Sequence, residues 1–225
     1  LLKFSLPAVL FLLGLCLIFK GYLGLKNLRP QTDEARITML DMGLGQSIVI
    51  DLPGRERILI DGGGRLGAIN LGESVVARFL LNQGIRHLDA VILSHPQEDH
   101  GAGLQYILSQ FSVNEFWLSE KSNQLSQNLL EIANHRRIKI RWISSSTPPT
   151  IIGDARLEFL NPEKGQINSL SLNDSSIVIK MTYGSESLLF PGEVSIKIEK
   201  KLVSKYSSQI KSKILVAPHH GSNTS

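Results

Sequence analysis

Residues 93–101 read LSHPQEDHG and directly follow HLDAVI at residues 87–92, which has the apolar pattern of a buried strand. Where that strand ends, His95, Asp99 and His100 fall within six residues. Imidazole nitrogens and carboxylate oxygens are ligands that divalent metals prefer, so the segment predicts a metal site. Neighbouring residues of a regular strand point to opposite faces, and Asp99 and His100 can share a metal only on an irregular turn. The alternative is a polar loop whose histidines are merely exposed.

Three further apolar runs are followed by polar residues in the same way, in the segments ILIDGGG (58–64), LLFPGE (188–193) and APHHGS (217–222). Taken alone, Asp61 and Glu193 are ordinary turn residues. A lone pair such as His219 and His220 is more often exposed to solvent than bound to a metal. The pattern is informative because the chain repeats it four times.

The composition limits the kinds of protein that this chain can be. It has 225 residues, of which 42% are hydrophobic, with 24 Lys and Arg against 20 Asp and Glu. These values exclude a disordered tail, a collagen-like repeat and a disulfide-stapled mini-protein. Because Cys16 is the single cysteine, an intrachain disulfide and a cysteine-based zinc cage are excluded as well. The net charge of +4 does not by itself indicate nucleic-acid binding.

The beginning of the chain differs from the rest. Residues 4–19 read FSLPAVLFLLGLCLIF without a charge, and they predict a transmembrane helix over residues 1–25, the end of a membrane region. A signal peptide and a buried core helix are the alternatives. Residues 26–35 are a polar linker, and residues 36–225 form a domain that we expect to be incomplete. The reason is that the chain begins without Met and stops inside its last motif.

The order of the predicted elements indicates the fold class. Hairpins come first, and strands mixed with helices follow, which favours an α/β sandwich over a doubly wound parallel sheet. Trp117 and Trp142 both fall in predicted strands. We therefore expect both indole rings to pack in the core rather than to stack on nucleic-acid bases.

Several short motifs carry a resemblance to a known family. They are LDMGLGQ (40–46), LIDGG (59–63), LSHPQEDHGAGL (93–104), NDSSIV (173–178), LFPGE (189–193) and HHGS (219–222). Together they resemble the metallo-β-lactamase superfamily and, more narrowly, the carboxy-terminal domain of ComEC-type competence proteins, which are inner-membrane DNA-uptake channels. The resemblance covers residues 36–225. It implies an αββα metallo-β-lactamase sandwich, truncated at its carboxyl end and preceded by one transmembrane helix.

The resemblance also implies a set of metal ligands for one or two divalent ions, zinc or manganese. The matching positions are His95, Gln97, Asp99, His100, Glu193, His219 and His220. Asp99 and His100 are the expected catalytic residues on the second ion, with Glu193 bridging the two ions, and spacing does not choose between the last two histidines. Asp61 is expected to hold a ligating imidazole through its other ring nitrogen. Asn173 either supports the ligands or substrate, or is an ordinary turn residue.

The chain departs from the family pattern at several of these positions. Gln97 stands where the family has a carboxylate, and Glu193 replaces the usual Asp and is one methylene longer. Leu44 and Gln46 replace the Gln and Asp of the opening motif. Because a neutral amide is a poor ligand, we expect the metal site nearest His95 to be the weaker one.

For function, the resemblance implies metal-dependent hydrolysis of DNA phosphodiesters in natural transformation. The implied partners are single-stranded DNA, the membrane, other competence proteins and the rest of the same channel polypeptide. The implied location is the inner membrane, in a multi-pass protein, with the side of the soluble domain undecided. A catalytically degenerate domain that binds DNA or supports the channel is one alternative, and a hydrolase of another ester is a second. The basic residues at 195–213 can follow phosphates or simply form a solvated face.

Overall fold

The computed structural model describes Pro7, Phe11, residues 13–17 and residues 34–222. Contacts divide the chain into two units, Leu1–Thr32 and Asp33–Ser225. The described residues of the first unit are helical, and most of them are exposed. Across the described ranges, no helix combines the length and the apolar character that a membrane span needs. The predicted transmembrane helix over residues 1–25 lies mostly outside these ranges and stays a prediction.

The second unit contains thirteen strands within the described residues. They are β1 (Arg36–Met39), β2 (Ile48–Asp51), β3 (Arg57–Ile60), β4 (Arg65–Leu66), β5 (Ile69–Asn70), β6 (His87–Ile92), β7 (Ser112–Leu118), β8 (Lys139–Trp142), β9 (Thr150–Ile152), β10 (Ala155–Asn161), β11 (Val178–Tyr183), β12 (Glu186–Phe190) and β13 (Ile214–Leu215).

Besides four short 3-10 helices, five α- or π-helices accompany the strands within the described residues of this unit. They are α1, a π-helical segment Gly72–Ala77 that continues directly into Arg78–Asn82, α2 (Glu98–Gly101), α3 (Leu104–Gln110), α4 (Gln124–His135) and α5 (Ile196–Tyr206). Helix α4 begins at a capping box, in which the Asn123 side chain accepts from the Ser126 amide and the Ser126 hydroxyl accepts from the Asn123 amide.

The strands form two main sheets. The first has the order β1-β2-β3-β6-β7-β8, in which β1, β2 and β3 pair antiparallel and β3, β6, β7 and β8 pair parallel. The second has the order β13-β12-β11-β10-β9 and is antiparallel except for the β12–β13 pair. Strands β4 and β5 form a separate hairpin. Because parallel strands end at a common edge, the segments that follow β3 and β6 meet there.

Alternation of side chains along the strands divides the core into layers. In β2, Ile48 and Ile50 face the second sheet, whereas Val49 faces the helices α1, α3 and α4. On the far side of the second sheet, Val178 packs against Ile198 of α5. The order is therefore helices, sheet, sheet, helix, which confirms the αββα sandwich. Burial of each large aliphatic side chain contributes about 1.5–3 kcal/mol.

The two tryptophans have different environments. Trp117 of β7 is 1% exposed, and its ring meets Phe159 edge-on at 5.8 Å, which confirms its predicted place in the core. Trp142 is 48% exposed, so the prediction that it packs in the core is wrong. The physical reason is that β8 is the edge strand of the first sheet and Trp142 is its last residue.

Much of the basic run at 195–213 is engaged in ion pairs. Lys201 and Lys205 of α5 both lie 2.7 Å from Glu163, and Lys213 pairs with Glu186 at 2.6 Å. The two contacts to Glu163 fasten α5 to the loop after β10, and all three pairs lower the charge that is left to attract phosphates. The pairing therefore favours a structural role for this face over a DNA track.

The Glu163 pairs give a pH-dependent prediction. Hydrogen bonds from Lys201 and Lys205 lower the pKa of Glu163 from 4.5 to about 2. Since the folded pKa lies below the unfolded one, the stabilisation is present above pH 4.5 and is lost as pH falls towards 2. Exposed pairs contribute about 0.2–1 kcal/mol each, so Glu163→Gln, which breaks two of them, should lower the free energy of unfolding by about 0.4–2 kcal/mol at pH 6 and by less near pH 3. Urea denaturation measures the loss. Glu131→Gln, at an exposed position of α4, is the matched control. An equal loss at both pH values would contradict the prediction.

Candidate metal centre

The end of strand β6 begins the candidate site. Ser94 and His95 follow it, and both are buried, with the His95 side chain fully enclosed. The turn expected at Asp99 and His100 is the short helix α2, which presents both side chains to the same place. His100 is buried, whereas the Asp99 side chain is 40% exposed.

Close backbone contacts between glycines hold α2 against the end of β3. The Gly62 amide donates to the His100 carbonyl at 2.8 Å, and the Gly103 amide donates to the Gly63 carbonyl at 2.9 Å. A Cβ on Gly103 would overlap the Gly62 carbonyl oxygen, so a larger residue would push the two segments apart. The glycines of the DGG and GAG motifs thus allow Asp61 to approach His100.

The Glu193 carboxylate is the centre of the cluster. Its Oε1 lies 3.0 Å from His100 Nε2 and 2.8 Å from His220 Nε2. Its Oε2 lies 3.4 Å from His95 Nε2 and 3.8 Å from His219 Nε2. Each carboxylate oxygen therefore faces a different pair of imidazoles.

The backbone at the HHGS motif turns both of its histidines towards Glu193. His219 and His220 have φ values of 44° and 53°, in the left-handed region that costs a non-glycine residue roughly 1–2 kcal/mol. The His219 amide also donates to the Gly192 carbonyl at 3.1 Å, which links this turn to the residue before Glu193. Strain of this kind is typical of functional sites.

Asp61 orients His100 from behind. This carboxylate is fully buried, and its Oδ2 lies 2.8 Å from His100 Nδ1. It also accepts from the Ser94 amide and hydroxyl, both at 2.7 Å, and from Gln46 Nε2 at 3.1 Å. An ionised carboxylate only accepts, so His100 Nδ1 donates, which directs Nε2 towards Glu193. The contact is the one expected for Asp61, and ligation of a metal by His100 stays a prediction.

Two members of this network were not predicted from the sequence. Ser94 directly precedes His95, and Gln46 stands at one of the positions where the chain departs from the family motif. Their positions next to a motif residue could have drawn attention to both. Their contacts with Asp61 could not be predicted, because three segments far apart in sequence must meet to form them.

The charges of the cluster stabilise one another. Burial alone would lower the pKa of His100, but the Asp61 charge and the hydrogen bonds to Asp61 and Glu193 raise it to about 10. Burial acts on Glu193 in the opposite direction, and the hydrogen bonds and charges of His100 and His95 outweigh it, so that its pKa is lowered. The buried carboxylates thus strongly favour positive charge between them.

Gln97 and Asn173 connect His95 to Glu193. Gln97 Oε1 lies 3.2 Å from His95 Nε2, and Gln97 Nε2 donates to Asn173 Oδ1 at 2.6 Å. Asn173 Nδ2 in turn donates to Glu193 Oε2 at 2.9 Å. The amide oxygen of Gln97 therefore lies beside the predicted first metal position, while its nitrogen is held by Asn173.

With this geometry established, comparison with known proteins shows the family. The model of the metallo-beta-lactamase superfamily matches residues 40–225. The chain belongs to this superfamily. Among curated superfamily relatives, it is 29% identical over 208 residues to ComE operon protein 3 of Bacillus subtilis, covering 86% of this chain and 26% of that protein. It is 27% identical over 209 residues to competence protein ComA of Neisseria gonorrhoeae, covering 93% of this chain and 27% of that protein.

These similarities confirm the resemblance to ComEC-type competence proteins. The chain spans about a quarter of the length of these curated relatives. Among solved structures, a variant of the CmlA beta-hydroxylase of Streptomyces venezuelae is 17% identical with a TM-score of 0.50, covering 80% of this chain and 34% of that chain. At this identity the likeness bears on the fold alone.

The residues present fit the divalent metal that the superfamily implies. Ligand atoms of Asp99, His100, Glu193 and His220 all lie within 4.8 Å of one another. Metal–ligand bonds of about 2.0–2.2 Å place the ligands of one ion roughly 3–4 Å apart, which is close to the distances from Glu193 Oε1 to both imidazoles. The donor set of nitrogen and carboxylate oxygen suits zinc and manganese alike. On the Oε2 side, His95, His219 and Gln97 remain predicted ligands of the first ion, and Asp99 and His100 belong to the predicted second ion.

This arrangement predicts the effect of restoring a carboxylate at residue 97. Gln97→Asp should tighten binding of the first ion, the one nearest His95, about tenfold or more, because ligand charge strongly sets metal affinity. Isothermal titration calorimetry with zinc or manganese measures the change. Gln209→Asp, on an exposed turn, adds the same charge elsewhere and should leave the affinity unchanged. An affinity in Gln97→Asp equal to that of the natural chain would show that residue 97 is not a ligand position.

Proposed function

We propose that this chain is the metal-dependent hydrolase domain of a DNA-uptake channel protein and that it cleaves phosphodiester bonds of single-stranded DNA. The observation that carries the proposal is the Glu193 carboxylate enclosed by four imidazoles, with Asp61 orienting one of them. Zinc or manganese at this centre would supply a Lewis acid that activates water and neutralises charge on a phosphate.

The cluster is buried on one side and open to solvent on the other. His95 and His100 are fully buried and form the floor, whereas the side chains of Asp99 and His220 are 40% and 41% exposed. A phosphodiester would therefore reach the centre from the side of Asp99 and His220. On that side, Asp99 would act as a ligand and orient the attacking water.

The relatives support the substrate class. One of the two curated relatives reported above is a competence protein by name, and DNA is the molecule that competent cells import. The chain spans a quarter of such proteins, so we propose that it works together with the rest of the same polypeptide. Its other proposed partners are further competence proteins, and its proposed location is the inner membrane. The hydrophobic residues 4–19 are consistent with attachment to a multi-pass membrane region.

A catalytically degenerate domain that binds DNA is the second candidate. Gln97 favours it, because a neutral amide occupies a ligand position and its nitrogen is already engaged with Asn173 at 2.6 Å. In that case the Oε1 side of Glu193 would hold an ion for structure only.

The test is cleavage of a labelled single-stranded oligonucleotide by the metal-stripped full chain. Addition of zinc or manganese should start cleavage, and renewed chelation should stop it. If the metal-loaded chain binds the oligonucleotide without cleaving it, the hydrolase proposal fails and the degenerate domain is favoured. Cleavage that continues in excess chelator would exclude the metal centre as its cause.

A further inference from the structure

A cleft lies beside the exposed Trp142 at the end of strand β8. Its volume is about 380 Å³, and its walls include Trp142, Arg141, Lys164, Glu120 and the loop at residues 144–148. The Trp142 side chain is 48% exposed and Lys164 is exposed as well. A half-exposed indole that lines a cleft is available to a flat ligand.

The charged groups of the cleft favour an anionic ligand. Of its described lining residues, Arg141 and Lys164 are cationic and Glu120 is acidic, which leaves one net positive charge. The Arg141 guanidinium lies 4.8 Å from the centre of the buried Trp117 ring and 5.9 Å from that of Phe159, which holds it towards the core and leaves Lys164 as the exposed cation of the cleft. Ser144 and Ser146, whose hydroxyls are 2.8 Å apart, add hydrogen-bonding groups to the same wall.

The cleft and the metal centre both lie at the carboxyl ends of the parallel strands of the first sheet. Strands β6, β7 and β8 are parallel neighbours, so the end of β8 lies about 10 Å from the end of β6, where His95 begins the site. The segment 162–173 runs from the cleft, which Lys164 lines, to the metal centre. Lys121, just after β7, fixes its middle by donating to the Asn168 and Leu170 carbonyls at 3.3 and 2.6 Å. The segment ends at Asn173, which contacts Glu193.

We propose that this cleft is a nucleotide subsite in which a base of single-stranded DNA stacks on Trp142 and Lys164 contacts a neighbouring phosphate. Sequence-tolerant binding of single strands combines these two elements, an exposed aromatic face and flanking cations. The strand would run from the cleft along segment 162–173 to the metal centre. The subsite rests on the proposed function, since it assigns one part of the DNA to a place beside the reacting phosphate.

The test measures binding without hydrolysis. The full chain, kept in chelator, is titrated with oligo(dT), and binding is followed by quenching of tryptophan fluorescence and by fluorescence anisotropy of labelled DNA. Trp142→Ala should weaken binding about 5- to 150-fold, the range for loss of one base stack, and Trp142→Phe should retain most of the affinity. Ile151→Ala removes another exposed apolar side chain, on β9, and should leave affinity unchanged. Lys164→Gln, on an exposed loop, should lower the slope of log affinity against log salt by about 0.7.

Two results would overturn the subsite. One is that Trp142→Ala and Lys164→Gln both bind oligo(dT) as the natural chain does. The other is that Trp142→Ala weakens binding of polyphosphate, which has no bases, as much as it weakens binding of oligo(dT). Cleavage by the metal-loaded natural chain is scored separately. If Trp142→Ala loses DNA affinity but the natural chain shows no metal-dependent cleavage, the subsite is supported and the hydrolase is rejected. If the natural chain cleaves DNA but Trp142→Ala binds DNA unchanged, the hydrolase is supported and the subsite is rejected.

Discussion

Replacing His100 with alanine is expected to reduce metal-dependent cleavage of single-stranded DNA by more than about 100-fold, because direct ligands matter more than the outer partners whose loss costs 10–100-fold. His100 Nε2 lies 3.0 Å from Glu193, and its Nδ1 is held by Asp61 at 2.8 Å. Alanine removes the nitrogen ligand and leaves Glu193 with one fewer positive neighbour. Initial cleavage rates at saturating zinc or manganese, together with bound metal per chain, measure the effect.

A second variant separates loss of the site from loss of the fold. His220 is 41% exposed and contacts Glu193 at 2.8 Å, so His220→Ala should lower cleavage strongly while the unfolding transition stays intact. His135→Ala, at the exposed end of α4, should retain full activity. Cleavage in His100→Ala at the rate of the natural chain would show that this cluster is not the active centre.

Replacing Asp61 is expected to have the largest effect on stability. Asp61→Ala should lower the free energy of unfolding by about 3–5 kcal/mol, since it leaves the buried His100 imidazole and other donors without their charged partner. The φ of Asp61 is 60°, and alanine adds strain in this left-handed conformation whereas asparagine tolerates it. Urea denaturation of the metal-free chain measures the loss.

Asp61→Asn distinguishes the orienting role from the structural one. Asparagine keeps the shape and the backbone conformation but removes the charge that holds His100 Nδ1. It should cost less stability than alanine, yet lower metal affinity about 10- to 100-fold. An Asp61→Asn chain that binds metal as tightly as the natural one would refute the orienting role.

The order of the elements predicted an α/β sandwich, and the motifs that resemble the metallo-β-lactamase superfamily predicted its αββα layers and the residues of the candidate site. Strand β6 is apolar because it is buried on both faces, and the ligand residues follow strands because strand ends meet at one edge of the sheet. The motifs also indicated Glu193 and the HHGS histidines, although no motif could show that each oxygen of Glu193 faces a different pair of imidazoles. That arrangement depends on the left-handed backbone at His219 and His220, which nothing in their side chains requires.

Features that depend on distant contacts could not be predicted. Trp142 has the sequence signature of a core strand residue, but its exposure is decided by the position of β8 at the sheet edge. In the same way, the sequence could not decide whether the basic residues at 195–213 follow phosphates or form a solvated face, because that depends on Glu163, which the fold places beside Lys201 and Lys205. Burial and charge pairing of this kind are properties of the packed molecule.

The measurement that tests the metal centre most directly is the metal content of the purified full chain after supplementation with zinc or manganese. Elemental analysis with a parallel protein determination should find one or two divalent ions per folded chain. Glu193→Gln keeps the size of this side chain but removes its charge, and it should reduce the content to a small fraction of an ion. Less than one ion per folded natural chain, or equal content in Glu193→Gln, would contradict the assignment of Glu193 and its surrounding histidines as a metal centre.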